Sequence, residues 1–137
     1  MSKLLVDTNV LIYGIDQDSQ FYERARIILD SSNQELTTTS KNISEFLAVV
    51  TKAHGYGLST TIALEILHEI IEGMEVLYPS HESMAIFLDL LDRHQVNGKN
   101  IHDLEIAGIA IAHGVIELAT FNTKDFETIE ELRLINV

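Results

Sequence analysis

The sequence contains no cysteine, only one proline and no long apolar run. Without cysteine, a disulfide scaffold, thiol catalysis and thiolate metal sites are excluded. One proline and seven glycines also exclude collagen-like and low-complexity chains. No window approaches the roughly 18 apolar residues that a membrane helix needs, and the N-terminus carries no cleavage signal. We therefore expect a cytoplasmic protein that does not associate with membranes.

Positive charge is scarce in this chain. Nine lysines and arginines stand against 21 aspartates and glutamates, which gives a formal net charge of −12. Taken alone, this charge balance argues against a protein that binds nucleic acid by neutralising its phosphates, because such binding needs a cationic surface. The hydrophobic content of 46% supplies a normal core, and the length fits one domain over residues 1–137.

Short apolar or β-branched runs alternate with amphipathic segments along the chain. The predicted strands cover residues 4–6, 35–39, 74–78, 116–120 and 132–137. The predicted helices cover residues 19–29, 43–53, 59–73, 84–91 and 100–113. A polar loop is expected after Val6. Strands that alternate with helices of this length predict right-handed crossovers. The predicted fold class is therefore α/β, with a mostly parallel central sheet of four to five strands and helices on both faces.

Acidic residues follow the predicted strands, at the edge of a parallel sheet where ligands bind. Asp7 comes directly after the first strand. In three later segments an asparagine precedes an acid by three positions: Asn42 and Glu45, Asn100 and Asp103, Asn122 and Asp125. In one interpretation each asparagine caps a helix and the acid bonds back to the capping residue. Each such cap would stabilise its helix by about 1 kcal/mol. A functional interpretation does not compete with this one, because the helix dipole holds an acid of the first turn ionised.

Gathered at one sheet edge, these four carboxylates would repel one another, so the cluster would take up protons or bind a cation. Oxygen ligands without histidine or cysteine favour Mg²⁺ or Mn²⁺. Magnesium is usually held by one or two carboxylates together with substrate phosphates. The pattern therefore indicates phosphoryl-transfer or phosphodiester chemistry.

Four blocks of sequence carry a resemblance to a known family. They are Leu5-Val6-Asp7-Thr8-Asn9-Val10-Leu11, Ser44-Glu45-Phe46, His102-Asp103-Leu104-Glu105-Ile106-Ala107 and Thr120-Phe121-Asn122-Thr123-Lys124-Asp125-Phe126. With these blocks in order, essentially the whole chain resembles PIN-domain ribonucleases, specifically the VapC-like toxins of type II toxin–antitoxin systems. The resemblance implies a single PIN-like domain and an endoribonuclease that hydrolyses RNA with Mg²⁺ (or Mn²⁺).

Position by position, the resemblance implies a catalytic site of four acids. Asp7, Glu45 and Asp103 match three acids of the family's metal site. Asp7 and Asp103 would hold the metal, directly or through water. The family places its fourth acid at the position of either Asn122 or Asp125, and of these only Asp125 is charged. The implied supporting residues are Thr8, Asn9 and Asn122.

Phe121 departs from the family pattern, because many relatives have arginine at this position. A phosphate contact from residue 121 is therefore missing and must come from elsewhere. Three lysines stand beside the three asparagine–acid segments and would give the site a positive rim. These candidate RNA contacts are Lys41, Lys99 and Lys124.

The resemblance further implies an RNA substrate and the pairing of two copies as a homodimer. It also implies a cognate antitoxin protein, which would bind to a groove formed by the helices between Phe21 and Val50. Three alternatives remain open: a PIN-fold RNA-processing nuclease without an antitoxin, a fold kept for binding alone, and a phosphotransfer module. A receiver-type phosphotransfer module needs an acid after the third strand, where this sequence has Tyr78-Pro79-Ser80.

Overall fold

The computed structural model describes residues 2–135 and 137, which form a parallel sheet covered by helices. The strands are β1 (Lys3–Val6), β2 (Glu35–Thr39), β3 (Glu75–Leu77), β4 (Glu117–Ala119) and β5 (Arg133–Ile135). Their order across the sheet is β3-β2-β1-β4-β5, and every neighbouring pair is parallel. The predicted α/β class with a parallel central sheet is therefore confirmed.

Helices lie on both faces of this sheet. They are α1 (Thr8–Tyr13), α2 (Tyr22–Leu29), α3 (Ser40–Val50), α4 (Thr60–Ile71), α5 (His81–His94) and α6 (Asn100–Ala112), with a short 3₁₀ helix at Thr123–Asp125. Successive side chains of β1 point to opposite faces, so Leu5 and Val6 enter different cores. Leu5 packs with β4, α5 and α6, and Val6 packs with α1 to α4. Within the described residues, no helix is long and apolar enough to cross a membrane.

The structure corrects several predicted boundaries. Helix α1 occupies residues predicted to form a polar loop, because the carboxylate of Asp7 caps it by accepting a hydrogen bond from the backbone N–H of Thr8 (2.9 Å). Helix α3 ends at Val50 rather than at residue 53, since Val50 is its last core residue and the chain beyond it is largely exposed. The last strand ends at Ile135. Asn136, which falls in the predicted strand, and Met1 lie outside the described residues.

Helix α6 approaches α5 closely at Gly108. A Cβ atom at this position would lie 3.0 Å from the carbonyl oxygen of Ser83 and 3.2 Å from the backbone nitrogen of Phe87. The small residues of α6 predict a close approach to the sheet, but at Gly108 the close neighbour is the backbone of α5. This packing fixes the helix that carries Asp103.

We expect Gly108→Ala to lower the free energy of unfolding by about 1 kcal/mol. Overpacking typically costs about 1–3 kcal/mol, which outweighs the gain of up to about 1 kcal/mol in helix propensity. Gly55→Ala is the matched control, because a Cβ there would meet its nearest atom at 3.6 Å. Denaturant unfolding of both variants measures the difference. A Gly108→Ala midpoint at or above that of the wild type would contradict the close packing.

Candidate functional site

A cleft of about 430 Å³ opens beside the carboxyl ends of the strands. Its walls come from the first half of α3, which follows β2, from the first half of α6, and from the segment after β4. Three of the four predicted acids line this cleft, Glu45, Asp103 and Asp125, together with Asn122. The other lining residues are Lys41, Ser44, Lys99, Asn100, His102 and Ile106.

Asp7 does not line the cleft but is buried beside it, with 6% of its surface exposed. Its Oδ1 accepts hydrogen bonds from the backbone N–H of Thr8 (2.9 Å) and from Nδ2 of Asn42 (3.1 Å). Its Oδ2 accepts from Oγ1 of Thr120 (2.7 Å) and from Nδ2 of Asn9 (3.4 Å). Because a carboxylate has about four lone-pair sites, these four donors fix its orientation.

Thr8 and Asn9 connect segments that follow different strands. Oγ1 of Thr8 donates to Oε2 of Glu45 at 3.2 Å, which joins α1 to α3. Nδ2 of Asn9 donates to Oγ1 of Thr120 at 3.1 Å, and its Oδ1 accepts from the backbone N–H of Phe121 at 3.1 Å. The chain that follows β1 is thereby tied to the segments after β2 and β4.

The predicted helix caps at the three asparagines are wrong. Thr39 caps α3, and Asn42 is the third residue of that helix. Lys99 precedes α6 without a side-chain cap bond, and Asn122 makes none at the 3₁₀ helix. Asp103 does lie in the first turn of α6, whereas the first turn of α3 contains no acid. Helix capping therefore does not explain the asparagine–acid spacing.

The acids of the site interact electrostatically. Burial, together with the negative charges of neighbouring acids, raises the pKa of Asp103 to about 7. Those neighbours are Asp125, Asp7 and Glu45. Burial also raises the pKa of Asp7, and the charge of Glu45 adds to it, although the hydrogen bonds to Asp7 act in the opposite direction. The four acids thus share one electrostatic environment in spite of their separation along the chain.

The donors that this cleft offers to a cation are mainly oxygen atoms. Among residues 2–135 and 137, no group of three or more histidine, cysteine or acidic side chains is arranged to hold a metal ion. The acids instead line an open cleft, which suits a hard cation that keeps several waters and takes one or two carboxylates. Their mutual repulsion is what a cation would relieve. The chemistry of the donor set therefore suits a hard divalent cation.

The basic residues divide into two groups. Five of the nine pair with a side-chain carboxylate: Lys3, Arg26, Lys41, Arg93 and Arg133. In the described part of the chain, the other four have no such partner: Arg24, Lys52, Lys99 and Lys124. Of the predicted RNA contacts, Lys41 lines the cleft with its Nζ 3.4 Å from Oε1 of Glu105. Lys99 also lines it, without a carboxylate partner among the described residues, and Lys124 is exposed outside it.

Arg24 is a basic residue near the site that is absent from the predicted set. Its guanidinium lies 5.2 Å from the ring centre of Phe121 and 5.6 Å from that of Phe21, and it donates a hydrogen bond to the main-chain oxygen of Val137. Phe121 directly precedes Asn122 of the cleft. Residue 121 thus has no positive charge of its own, but α2 supplies a guanidinium beside it.

Thr120 and Asn42, which hold Asp7, are also absent from the predicted site residues. Thr120 comes directly after β4, so the rule that selects Asp7 after β1 would select it too. Asn42 belongs to one of the asparagine–acid segments, but its buried contacts appear only once the start of α3 is known.

Several solved structures are similar to this chain. VapBC2 from Rickettsia felis, bound to a promoter DNA fragment, matches with 23% identity and a TM-score of 0.75, and 98% of each chain is covered. DNA-bound VapBC from Salmonella typhimurium matches with 25% identity and a TM-score of 0.72, again over 98% of each chain. VapC20 from Mycobacterium tuberculosis, a sarcin–ricin loop cleaving toxin, matches with 14% identity and a TM-score of 0.73, over 95% of this chain and 98% of that one.

Sequence comparison identifies the protein family to which this chain belongs. A search of curated protein sequences gives no match. The model of the PIN domain, in contrast, matches residues 4–132. Because this match spans nearly the whole chain, the chain belongs to the PIN domain family.

Proposed function

We propose that this protein is a divalent-metal-dependent endoribonuclease and the toxin of a toxin–antitoxin pair. The observation that carries the proposal is the meeting of acids from separate segments at one cleft of a PIN domain, with Asp7 fixed beside them. Nucleases of the PIN family generally use divalent metal ions. The oxygen donors and the mutual repulsion of the acids support the same requirement in this chain.

In the proposed reaction, water attacks the phosphorus of an RNA phosphodiester and the bond to the 3′-oxygen breaks. The products carry a 5′-phosphate and a 3′-hydroxyl. A bound Mg²⁺ or Mn²⁺ supplies a water of lowered pKa and offsets the charge of the phosphate. Asp103 would hold the cation, directly or through water. Asp7 would attract the cation by its charge, and would contact it or its water only by giving up one of its four hydrogen bonds. Glu45 would orient the attacking water, and Asp125 and Asn122 would complete the polar lining of the cleft.

The similar structures support the toxin assignment. Those from R. felis and S. typhimurium are VapBC complexes bound to DNA, and VapC20 is a toxin that cleaves the sarcin–ricin loop. We extend this arrangement to the present chain, with RNA as its substrate, a cognate antitoxin as its partner and two copies paired as a homodimer in the cytoplasm. The net charge of −12 suits an antitoxin segment of positive charge.

Purified protein and a mixed-sequence RNA test the nuclease proposal. We expect cleavage with Mg²⁺ or Mn²⁺, loss of cleavage in excess EDTA, recovery when the metal is restored, and 5′-phosphates on the products. Cleavage that persists in EDTA would refute the metal requirement. RNA binding without cleavage under every metal condition would favour a fold kept for binding alone.

Local positive charge would bring RNA to the cleft of this acidic protein, because phosphate contacts depend on nearby cations. Lys41 and Lys99 line the cleft, and Lys124 directly precedes Asp125. Arg24 adds a guanidinium that rests on Phe121 and donates one hydrogen bond to the main-chain oxygen of Val137. Its remaining N–H groups would be available to phosphate. The proposed contacts to the RNA backbone are therefore Arg24, Lys41, Lys99 and Lys124.

We expect the double variant Arg24→Gln/Lys99→Gln to raise the KM for RNA several-fold and leave kcat unchanged. For single strands, each lost phosphate contact reduces the slope of log affinity against log salt by about 0.7, so the double variant should lose about 1.4. Lys52→Gln is the matched control, because Lys52 also lacks a carboxylate partner in the described residues but follows the far end of α3. An unchanged salt slope in the double variant would contradict the proposed contacts.

A further inference from the structure

Asn42 is a buried amide that joins Asp7 to the start of α3. Its side chain is fully buried. Nδ2 lies 3.1 Å from Oδ1 of Asp7 and 2.9 Å from Oγ1 of Thr8. Oδ1 accepts hydrogen bonds from the backbone N–H and the hydroxyl of Thr39, at 3.2 and 2.7 Å. Both hydrogens of the amide nitrogen and both lone pairs of its oxygen are therefore used.

The surroundings of Asn42 fix the direction of its amide. The backbone N–H of Thr39 can only donate, so the atom that faces it must be the amide oxygen. The NH₂ group then faces Asp7 and Thr8. Because Oγ1 of Thr8 accepts from this group, its own hydrogen is free to donate to Oε2 of Glu45 at 3.2 Å. A directed chain of hydrogen bonds thus runs from Thr39 through Asn42 and Thr8 to Glu45, with a branch to Asp7.

We propose that Asn42 is a positioning residue for the phosphodiester hydrolysis described above, and the inference rests on that proposed function. One buried group aligns two acids that follow different strands: Asp7 directly, and Glu45 through the hydroxyl of Thr8. This role differs from helix capping in the atom that it uses. The bond back to Thr39 at the cap of α3 needs only Oδ1 of Asn42, whereas alignment of the acids needs Nδ2.

Two substitutions separate the roles. Asn42→Asp keeps an oxygen toward Thr39 but places a second oxygen against Oδ1 of Asp7, which turns an attraction into a repulsion. Asn42→Ser keeps a hydroxyl that can bond back to the cap but is too short to reach Asp7. Ser83 shows that serine serves at this helix position, because its Oγ accepts from the backbone N–H of Ser80 at 2.7 Å in the same capping arrangement of α5.

Ser83→Ala is the matched control, because it removes the equivalent cap contact from a helix that contributes no residue to the cleft. The experiment measures kcat and KM on RNA, and the rise in melting temperature that Mn²⁺ produces without RNA. We expect both Asn42 variants to lose about 10- to 100-fold in kcat with KM unchanged, as is usual when the partner of a metal-binding group is removed. Their Mn²⁺-induced rise in melting temperature should be smaller than that of the wild type.

The control should lower the melting temperature while keeping the wild-type kcat and Mn²⁺ response. If the wild type cleaves RNA and both Asn42 variants keep its kcat, Asn42 only completes the capping arrangement of Thr39 at α3, and this inference fails while the proposed function stands. If Ser83→Ala loses kcat as much as the Asn42 variants at an equal melting temperature, lost stability explains the effect and the inference fails again. If the wild type shows no metal-dependent cleavage, the inference and the proposed function fail together.

Discussion

Asp103→Asn is expected to raise the melting temperature of the metal-free protein at pH 8 while lowering RNA cleavage at least about 100-fold. In the folded protein the pKa of Asp103 is raised to about 7 from its ordinary value of 3.8. An acid of raised pKa stabilises the folded state below its unfolded pKa, and this contribution is lost as the pH rises through the folded pKa. At pH 8 the carboxylate is charged and unfavourable, whereas asparagine stays neutral.

The gain in melting temperature should be only a few degrees, because Asp103 is half-buried and solvent screens part of the unfavourable interaction of its charge. Melting curves in EDTA at pH 5 and pH 8 measure it, and the variant should exceed the wild type by more at pH 8. Asp92→Asn removes the same charge from the exposed face of α5 and should change neither the pH dependence nor cleavage. Saturating Mn²⁺ should stabilise the wild type more than Asp103→Asn. A difference between Asp103→Asn and wild type that is equal at both pH values would contradict this account.

Asp7→Leu is expected to lower the melting temperature by roughly 10 °C or more, whereas Asp7→Asn should lower it far less, and both should abolish cleavage. Leucine would remove the cap of α1 and leave the buried donors of Thr8, Asn42 and Thr120 without their acceptor. Each unsatisfied buried donor costs about 1–3 kcal/mol, and the lost cap about 1 kcal/mol. Asparagine still caps the helix and accepts on one side, but it carries no charge for a cation.

Thermal unfolding and RNA cleavage of the two Asp7 variants measure these effects together. Ser59→Ala isolates the capping contribution, because Ser59 caps α4 by accepting from the backbone N–H of Ile62 at 3.2 Å and lies outside the cleft. It should lose about 1 kcal/mol of stability and keep full activity. Equal melting temperatures for Asp7→Leu and Asp7→Asn would show that the hydrogen bonds to Asp7 contribute little.

Local sequence is sufficient to predict the sheet and the position of most acids. The apolar residues of β1 end directly at Asp7, and a parallel sheet brings such strand ends to one edge. The same logic applies to Glu45 after β2 and to Asp125 after β4, whereas Asp103 lies at the start of α6, which follows α5 rather than a strand. The structure has all three acids in one cleft. Helix α1 escapes prediction because it is only six residues long and begins with polar residues that are also typical of a loop.

The remaining features of the site depend on contacts between distant segments. Arg24 reaches the cleft region by resting on Phe121, a residue of the opposite end of the chain. Lys41 pairs with Glu105 across α3 and α6. Asn42 acquires its contacts only because α3 begins at Ser40, which buries its side chain against Asp7. No local pattern encodes these distances, since they follow from how the elements pack.

Sequencing of RNA 5′ ends after brief expression of the wild type and of Asp7→Asn tests the central claim most directly. The wild type should generate new 5′-phosphate ends at a limited set of RNA sites. Asp7→Asn, which should fold but lacks the charge for a cation, should generate none of them. Identical ends from both proteins, or no new ends from the wild type, would contradict the assignment of this PIN domain as an endoribonuclease that depends on its acidic cleft.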